Sequence, residues 1–483
     1  MWSAIWSLNV PQELVQALES RTFSLHIKGN AGTGKTTLAL ELAKLFPVNC
    51  KAVYLSTHIS LERLYEQFPW SEPCIRQENV LDANADTYPD TKQEALFEYV
   101  DKPNFMRSLY SKVMGSRDNI IIVDSLNTLK SNLKIPFDDF SIENDILEIA
   151  NRLNAKVLFI SELLGESKLD YVVDGVLRLE KEIVDGRLLR KLYIEKIRGA
   201  KIENPTYLFT LKDGRFTCFD KGIKMNLVMG ELPRIEKRED KKIPTLIPEL
   251  DKILGGGFER GTFNIFSIDD KVGTNYTNII NSIVLSFVLQ GIPSFYFPSK
   301  GTPPTQVNIK NILVPPGEIF TFHWSEEARE YLKKCFYMVY YQKNRSVNEN
   351  EEFNTYTIRG EDLDEHINEF TEFVTKKLNE VKAENICILM SSDIFDSIYG
   401  SENFTKATQT WIDHIRKMNG TSIMFYFRNE KLKPPLHLAS SYFKIENIDG
   451  NIVFYGEIPK TKMYIIGINI SKNYAQINLI PIE

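Results

Sequence analysis

Gly29-Asn30-Ala31-Gly32-Thr33-Gly34-Lys35-Thr36 fits the pattern GxxxxGK[ST] and carries the groups needed to hold a nucleoside triphosphate. Its glycines let the backbone curl until successive N–H groups point at phosphate oxygens, and the start of the next helix, from Thr37, adds partial positive charge. Lys35 reaches the β and γ phosphates, and the Thr36 hydroxyl holds Mg2+. Asp124 closes the apolar run Ile120-Ile121-Ile122-Val123 and precedes Ser125. That placement brings a carboxylate to the C-terminal edge of a sheet beside such a loop, where it would hold Mg2+ through a coordinated water. The ligands predicted are ATP and Mg2+, although the base is recognised outside this loop and ATP is not distinguished from GTP. Two more cations stand out. Read with period two, Leu192, Ile194, Lys196 and Arg198 share one face of a strand, so the cations extend a face that begins apolar. They call for an anionic partner, either a γ phosphate or a local carboxylate such as Glu180 or Glu195.

These residues need a sheet and helices to hold them. Residues 22–28 alternate apolar and polar types as a strand does, and Leu38, Leu42 and Leu45 fall at helical spacing after the loop. Apolar runs at 52–55, 120–123 and 157–160 are separated by helix-length segments, the alternation of a parallel sheet with helices on its faces. Residues 175–179, 190–196 and 207–219 read as an antiparallel edge, with Asp213-Gly214 a hairpin turn. A nearly all-charged stretch at 234–242 marks a linker. Beyond it, strand-like runs at 262–267, 294–297, 386–390 and 422–427 repeat the plan, as an internal duplication would. Residues 341–366 form a polar surface insertion and residues 336–341 a core strand. The expected domains are 1–232, a linker at 233–242, and 243–483.

With 483 residues, 43% of them hydrophobic, two cores can be buried. The net charge of -6 gives no global support for binding nucleic acid through phosphate contacts, though a local basic patch stays open. Cys50, Cys74, Cys218, Cys335 and Cys387 lack CxxC spacing, so neither a disulfide framework nor a zinc site is indicated. The first residues lack a basic segment followed by an apolar core, and no apolar run spans a bilayer. A cytoplasmic protein without membrane association is expected.

In order and spacing, the phosphate loop, Asp124-Ser125, Asp174-Gly175-Val176-Leu177-Arg178-Leu179 and Glu195-Lys196-Ile197-Arg198-Gly199 resemble the RecA-fold ATPases of the KaiC type. Ile247-Pro248-Glu249-Leu250-Asp251-Lys252-Ile253-Leu254-Gly255-Gly256-Gly257 looks like the IPELDxLLGGG opening signature of the same group. Residues 25–42 and 53–70 further resemble the P-loop region of the archaeal gas-vesicle regulator family GvpD. The resemblance implies an α/β fold of tandem RecA-like domains with mainly parallel sheets. It also implies a homo-oligomer in which Lys196 and Arg198 reach a neighbour's nucleotide, and a regulatory role in transcription exercised through a protein partner.

Two departures qualify it. KaiC-like ATPases carry paired glutamates after the second strand to orient the attacking water, and here those positions fall on His58 and Ile59. His58 is a weaker base or a surface loop residue, and Glu62 or Glu162 could substitute. Slow hydrolysis is expected, without autokinase activity. In the second half, Asp270, Asn275, Tyr276 and Thr277 stand where a working loop has Gly, Gly, Lys and Thr, and Ser391-Ser392 replaces the Mg2+ carboxylate unless Asp393 serves. That domain reads as a degenerate, non-hydrolysing scaffold. Rival readings are a DNA-acting RecA-type ATPase and a pseudo-ATPase holding nucleotide as a structural ligand.

Overall fold

The computed structural model describes residues 9–46, 52–57, 60–82, 102–114, 119–162, 165–222, 224–227, 242–299, 311–314, 318–321, 326–341, 354–428, 432–470 and 475–483. Among the sequence expectations, His58, Ile59, the charged linker apart from Lys242, and insertion residues 342–353 lie outside this set. The chain divides into two compact units, 1–220 with 482–483, and 221–481.

In the first unit the elements run α1 (Gln12–Leu18), β1 (Ser24–Gly29), α2 (Lys35–Lys44), β2 (Ala52–Ser56), α3 (Leu61–Gln67), β3 (Val80–Asp82), α4 (Lys102–Val113), β4 (Ile120–Asp124), α5 (Leu126–Asn132), α6 (Ser141–Leu153), β5 (Lys156–Ser161), α7 (Lys168–Val172), β6 (Gly175–Val184), β7 (Arg187–Ile197), β8 (Thr206–Thr210) and β9 (Thr217–Phe219). The sheet order is β3-β2-β4-β5-β1-β6-β7-β8-β9. Pairing is parallel from β3 through β6 and antiparallel from β6 through β9. The expected antiparallel edge is therefore present.

Strand β1 lies inside the sheet, and all six of its residues are buried. Although its sequence alternates apolar and polar residues, both of its faces are covered, as in parallel sheets with crossover helices. Leu25 and Ile27 enter one core layer with Leu38, Leu42, Tyr54, Leu177 and Ile194. Val53, Ile121, Val123, Phe159 and Val176 enter the other, under Phe105 and Ile146. His26 and Lys28 are buried as well, and hydrogen bonds and ion pairs offset their loss of water.

A register shift between Val176 and Leu177 alters the end of β7: Leu177 faces Ile194, whereas Val176 faces Lys196. Directly opposed residues share a face. Because Leu177 and Val176 belong to opposite core layers, the bulge turns Lys196 away from the layer holding Leu192 and Ile194. The single face expected for Leu192, Ile194, Lys196 and Arg198 is thus broken at Glu195. Ile197 instead rejoins the Ile194 layer.

The second unit contains an 11-stranded sheet. Its strands Phe336–Tyr341, Ser294–Phe297, Cys387–Ser391, Thr421–Phe427, Phe263–Ile268, Ser441–Ile448, Asn451–Ile458 and Tyr464–Ile470 neighbour one another in that order. This is the path β3-β2-β4-β5-β1-β6-β7-β8 repeated, so the duplication read from sequence is structural. Phe336–Tyr341 is a core strand, as expected. No helix among the described residues is long and apolar enough to cross a membrane.

Candidate nucleotide-binding site

The loop after β1 owes its shape to its glycines. Gly32 and Gly34 have φ of 73° and 97°, in the left-handed region that other residues avoid. At Gly29, a Cβ would lie 2.5 Å from the Leu179 carbonyl oxygen and 2.8 Å from Thr33 Oγ1, so a side chain would push β1 off β6. Thr33 Oγ1 donates to the Asn30 carbonyl at 2.9 Å, closing the curl, while Asn30, Ala31 and Gly32 form its exposed lip. Lys35 is buried, and its Nζ donates to the carbonyls of Gly29 at 2.8 Å and Asn30 at 3.0 Å. Burial lowers its pKa, against the opposing pull of Glu162 and then Asp124. Thr37 is buried on α2.

Asp124 meets this loop from β4. Thr36 Oγ1 donates to Asp124 Oδ2 at 2.7 Å, and the Tyr54 hydroxyl donates to the same oxygen at 2.8 Å. Burial, then the Asp124 charge, raises the Tyr54 pKa well above 10, so Tyr54 remains a donor at neutral pH. Behind the carboxylate, Thr57 Oγ1 donates to the Asp124 carbonyl at 2.8 Å and accepts from Ser125 N–H at 2.8 Å, pinning the turn that leaves β4. A hydroxyl and a carboxylate converging beside a phosphate loop are the hard oxygen donors Mg2+ prefers, with phosphate and water completing the shell. The residues present fit that ion.

Lys196 and Arg198 lie elsewhere. Lys196 Nζ donates to the carbonyls of Asp170 at 2.7 Å, Tyr171 at 3.2 Å and Val173 at 2.6 Å, capping the C-terminal end of α7. Arg198 donates to the Tyr171 and Val172 carbonyls and stands 3.5 Å from Asp174. Of the carboxylates weighed as their local partners, Glu195 pairs with Lys28 and Arg178, and Glu180 with Arg178. Glu62 is exposed in the first turn of α3, and Glu162 is the residue that follows β5.

Several contributors escape sequence reading. Tyr54 sits in an apolar strand run, with only its hydroxyl to hint at a role. Arg190 on β7 donates to the Gly32 carbonyl at 3.1 Å, bracing the loop. A chain of hydrogen bonds also runs from β5 through β1 to α7: Ser161 Oγ lies 2.6 Å from His26 Nε2, and His26 Nδ1 lies 2.6 Å from Asp170 Oδ1. Lys28 bridges Asp170 at 3.1 Å and Glu195 at 2.8 Å.

In the second unit, the matching loop is spent on packing. Tyr276, at the lysine position, is buried with its ring centroid 5.3 Å from Phe427 and 6.3 Å from Phe425. The Asp393 carboxylate accepts from Ser391 and, at 2.6 Å, from Ser299.

A phosphate loop linking an inner parallel strand to a helix, met by a carboxylate from the strand two positions away, defines the first unit as a P-loop nucleotide-binding domain on a RecA/KaiC-like sheet. Residues 18–195 match the family model described as the GvpD gas vesicle protein, P-loop domain, so the first unit carries a RecA/KaiC-like P-loop domain close to that of GvpD. Among curated proteins it is 27% identical over 250 residues to Protein GvpD1 of Halobacterium salinarum, covering 50% of this chain and 46% of that protein. It is 24% identical over 294 residues to the circadian clock protein KaiC2 of a Synechocystis species, covering 57% of this chain and 49% of that one. A UPF0273 protein of Thermotoga maritima is 23% identical over 213 residues, 41% of this chain and 84% of its own. The chain spans about half the length of the GvpD proteins it matches.

Proposed function

We propose that this chain binds Mg-ATP at Lys35, Thr36 and Asp124, hydrolyses it slowly, and uses the nucleotide state to control assembly with further copies and binding of a protein partner. The observation that carries this reading is the 2.7 Å hydrogen bond from Thr36 to Asp124 at the mouth of the phosphate loop. On binding, Lys35 exchanges two loop carbonyls for β and γ phosphate oxygens while the loop's N–H groups line the phosphates. Thr36 and Asp124 would hold Mg2+, which neutralises charge on the transferring phosphoryl group.

Lys196 and Arg198 are read as acting on a neighbouring copy's nucleotide. Lys196 faces Val176, which faces His26, whereas the loop leaves the sheet at Gly29. The pair is thus set back about 10 Å along the strands from its own loop. Assembly would exchange the α7 carbonyls they now cap for phosphate oxygens. The match to the GvpD P-loop family and the similarity to a circadian clock protein support a regulatory role, and we read the partner as one engaged in transcriptional control in the cytoplasm.

The test is phosphate release from Mg-ATP per protomer as protein concentration rises, with Lys35→Ala as background. Specific activity is expected to climb with concentration, and Arg198→Ala to lose turnover while still binding nucleotide. Release that stays at the Lys35→Ala level overturns hydrolysis, and activity independent of concentration overturns the intersubunit role.

A further inference from the structure

We propose that Glu162 orients the water that attacks the γ phosphate and takes its proton, in place of carboxylates after β2. This rests on the hydrolytic reading above and names the group that performs its central step.

The sheet order puts β5 between β4, which ends in Asp124, and β1, which leads into the phosphate loop. Ser161 is the Cα partner of Lys28, the residue before Gly29, and Phe159 is the partner of Val123, the residue before Asp124. Glu162 therefore leaves the sheet at the edge from which the loop and Asp124 both emerge, one strand spacing of about 5 Å to either side. Its electrostatic effect on Lys35 exceeds that of Asp124, which agrees with a carboxylate facing the phosphate site. The side chain is exposed, so water and a phosphate can reach it.

Neighbouring polar groups have other work. Asp124 accepts from Thr36 and Tyr54, and Thr57 ties down the Asp124-Ser125 turn. Immediately behind Glu162, Ser161 is fixed to His26, and His26 to Asp170 on α7, each by a 2.6 Å hydrogen bond. The backbone that presents Glu162 is thereby held in place, as a water-orienting group requires. In the step itself the water oxygen bonds to the γ phosphorus as the bond to the β,γ-bridging oxygen breaks. The electron pair of that bond leaves with ADP, and the water proton passes to Glu162 and then to solvent or the released phosphate.

The experiment compares Glu162→Gln, His58→Ala and Glu62→Gln, measuring Mg-ATP affinity by calorimetry and phosphate release at saturating ATP on proteins of matched thermal stability. For Glu162→Gln, affinity should stay within about threefold and kcat should fall at least about a hundredfold. Each of the other two should keep kcat within about threefold. Near-parental turnover in Glu162→Gln, or the large loss falling on His58→Ala instead, overturns the assignment. A parent protein that binds Mg-ATP but releases no phosphate also overturns it and leaves the binding reading standing. A parent that binds no better than Lys35→Ala removes the nucleotide reading itself.

Discussion

At the scale of single residues, the proposed metal corner depends on one oxygen. Asp124 Oδ2 accepts both the Thr36 and Tyr54 hydroxyls, so its lone pairs are aimed before any ligand arrives. Tyr54 is almost fully buried, and Phe would fill the same space without the donor. A hydrogen bond to a charged acceptor contributes about 1.5–3 kcal/mol. Tyr54→Phe should therefore lower the stability of the first unit by about that amount in urea unfolding; an unchanged midpoint would show that water replaces the hydroxyl at no cost. The phosphate loop and Asp124 were legible because their signals are local, a spacing of residue types and a carboxylate after an apolar run. The Tyr54 contact was not, because its partner lies 70 residues away and a tyrosine in a buried strand looks like packing.

Elements explain why His26 and Lys28 tolerate burial. They project from β1 toward α7, whose first turn supplies Asp170, itself part of a capping box with Ser167. Burial alone would raise the Asp170 pKa, but the His26 and Ser167 hydrogen bonds and the nearby positive charges hold it well below the usual carboxylate range. A carboxylate whose pKa is depressed by folding contributes stability above its unfolded value, near 3.9, and loses it as pH falls through the folded value. Acidification below about pH 4 should therefore destabilise the first unit, and Asp170→Asn should remove part of that slope. Equal slopes in parent and variant would mean the ion pairs contribute nothing net. The strands themselves could be read from sequence, the bulge could not. Period-two reading puts Lys196 with Ile194, yet the strand slips where it meets β6, and that slip is a property of the pair.

For the whole molecule, the repeated strand order shows how one architecture serves two ends. On the proposed reading the first unit keeps Lys35 and Asp124 available for phosphate and metal, whereas the second turns Tyr276 into its core and satisfies Asp393 with serine hydroxyls. Calorimetric titration with Mg-ATP should accordingly saturate at about one nucleotide per chain, with Lys35→Ala abolishing the signal. A second site that survives the substitution would overturn the reading of the second unit as a scaffold.

The offset between the phosphate loop and the Lys196–Arg198 edge has one more consequence. Copies that join the loop of one to the cations of the next do so head to tail, through two different surfaces. An open file of such copies always ends in a loop that no neighbour serves. A dimer of this kind completes about half of its sites, longer files complete more, and only a closed ring completes all. Turnover per protomer would then count the free ends, and ring closure would register as the point at which the rate stops rising with size.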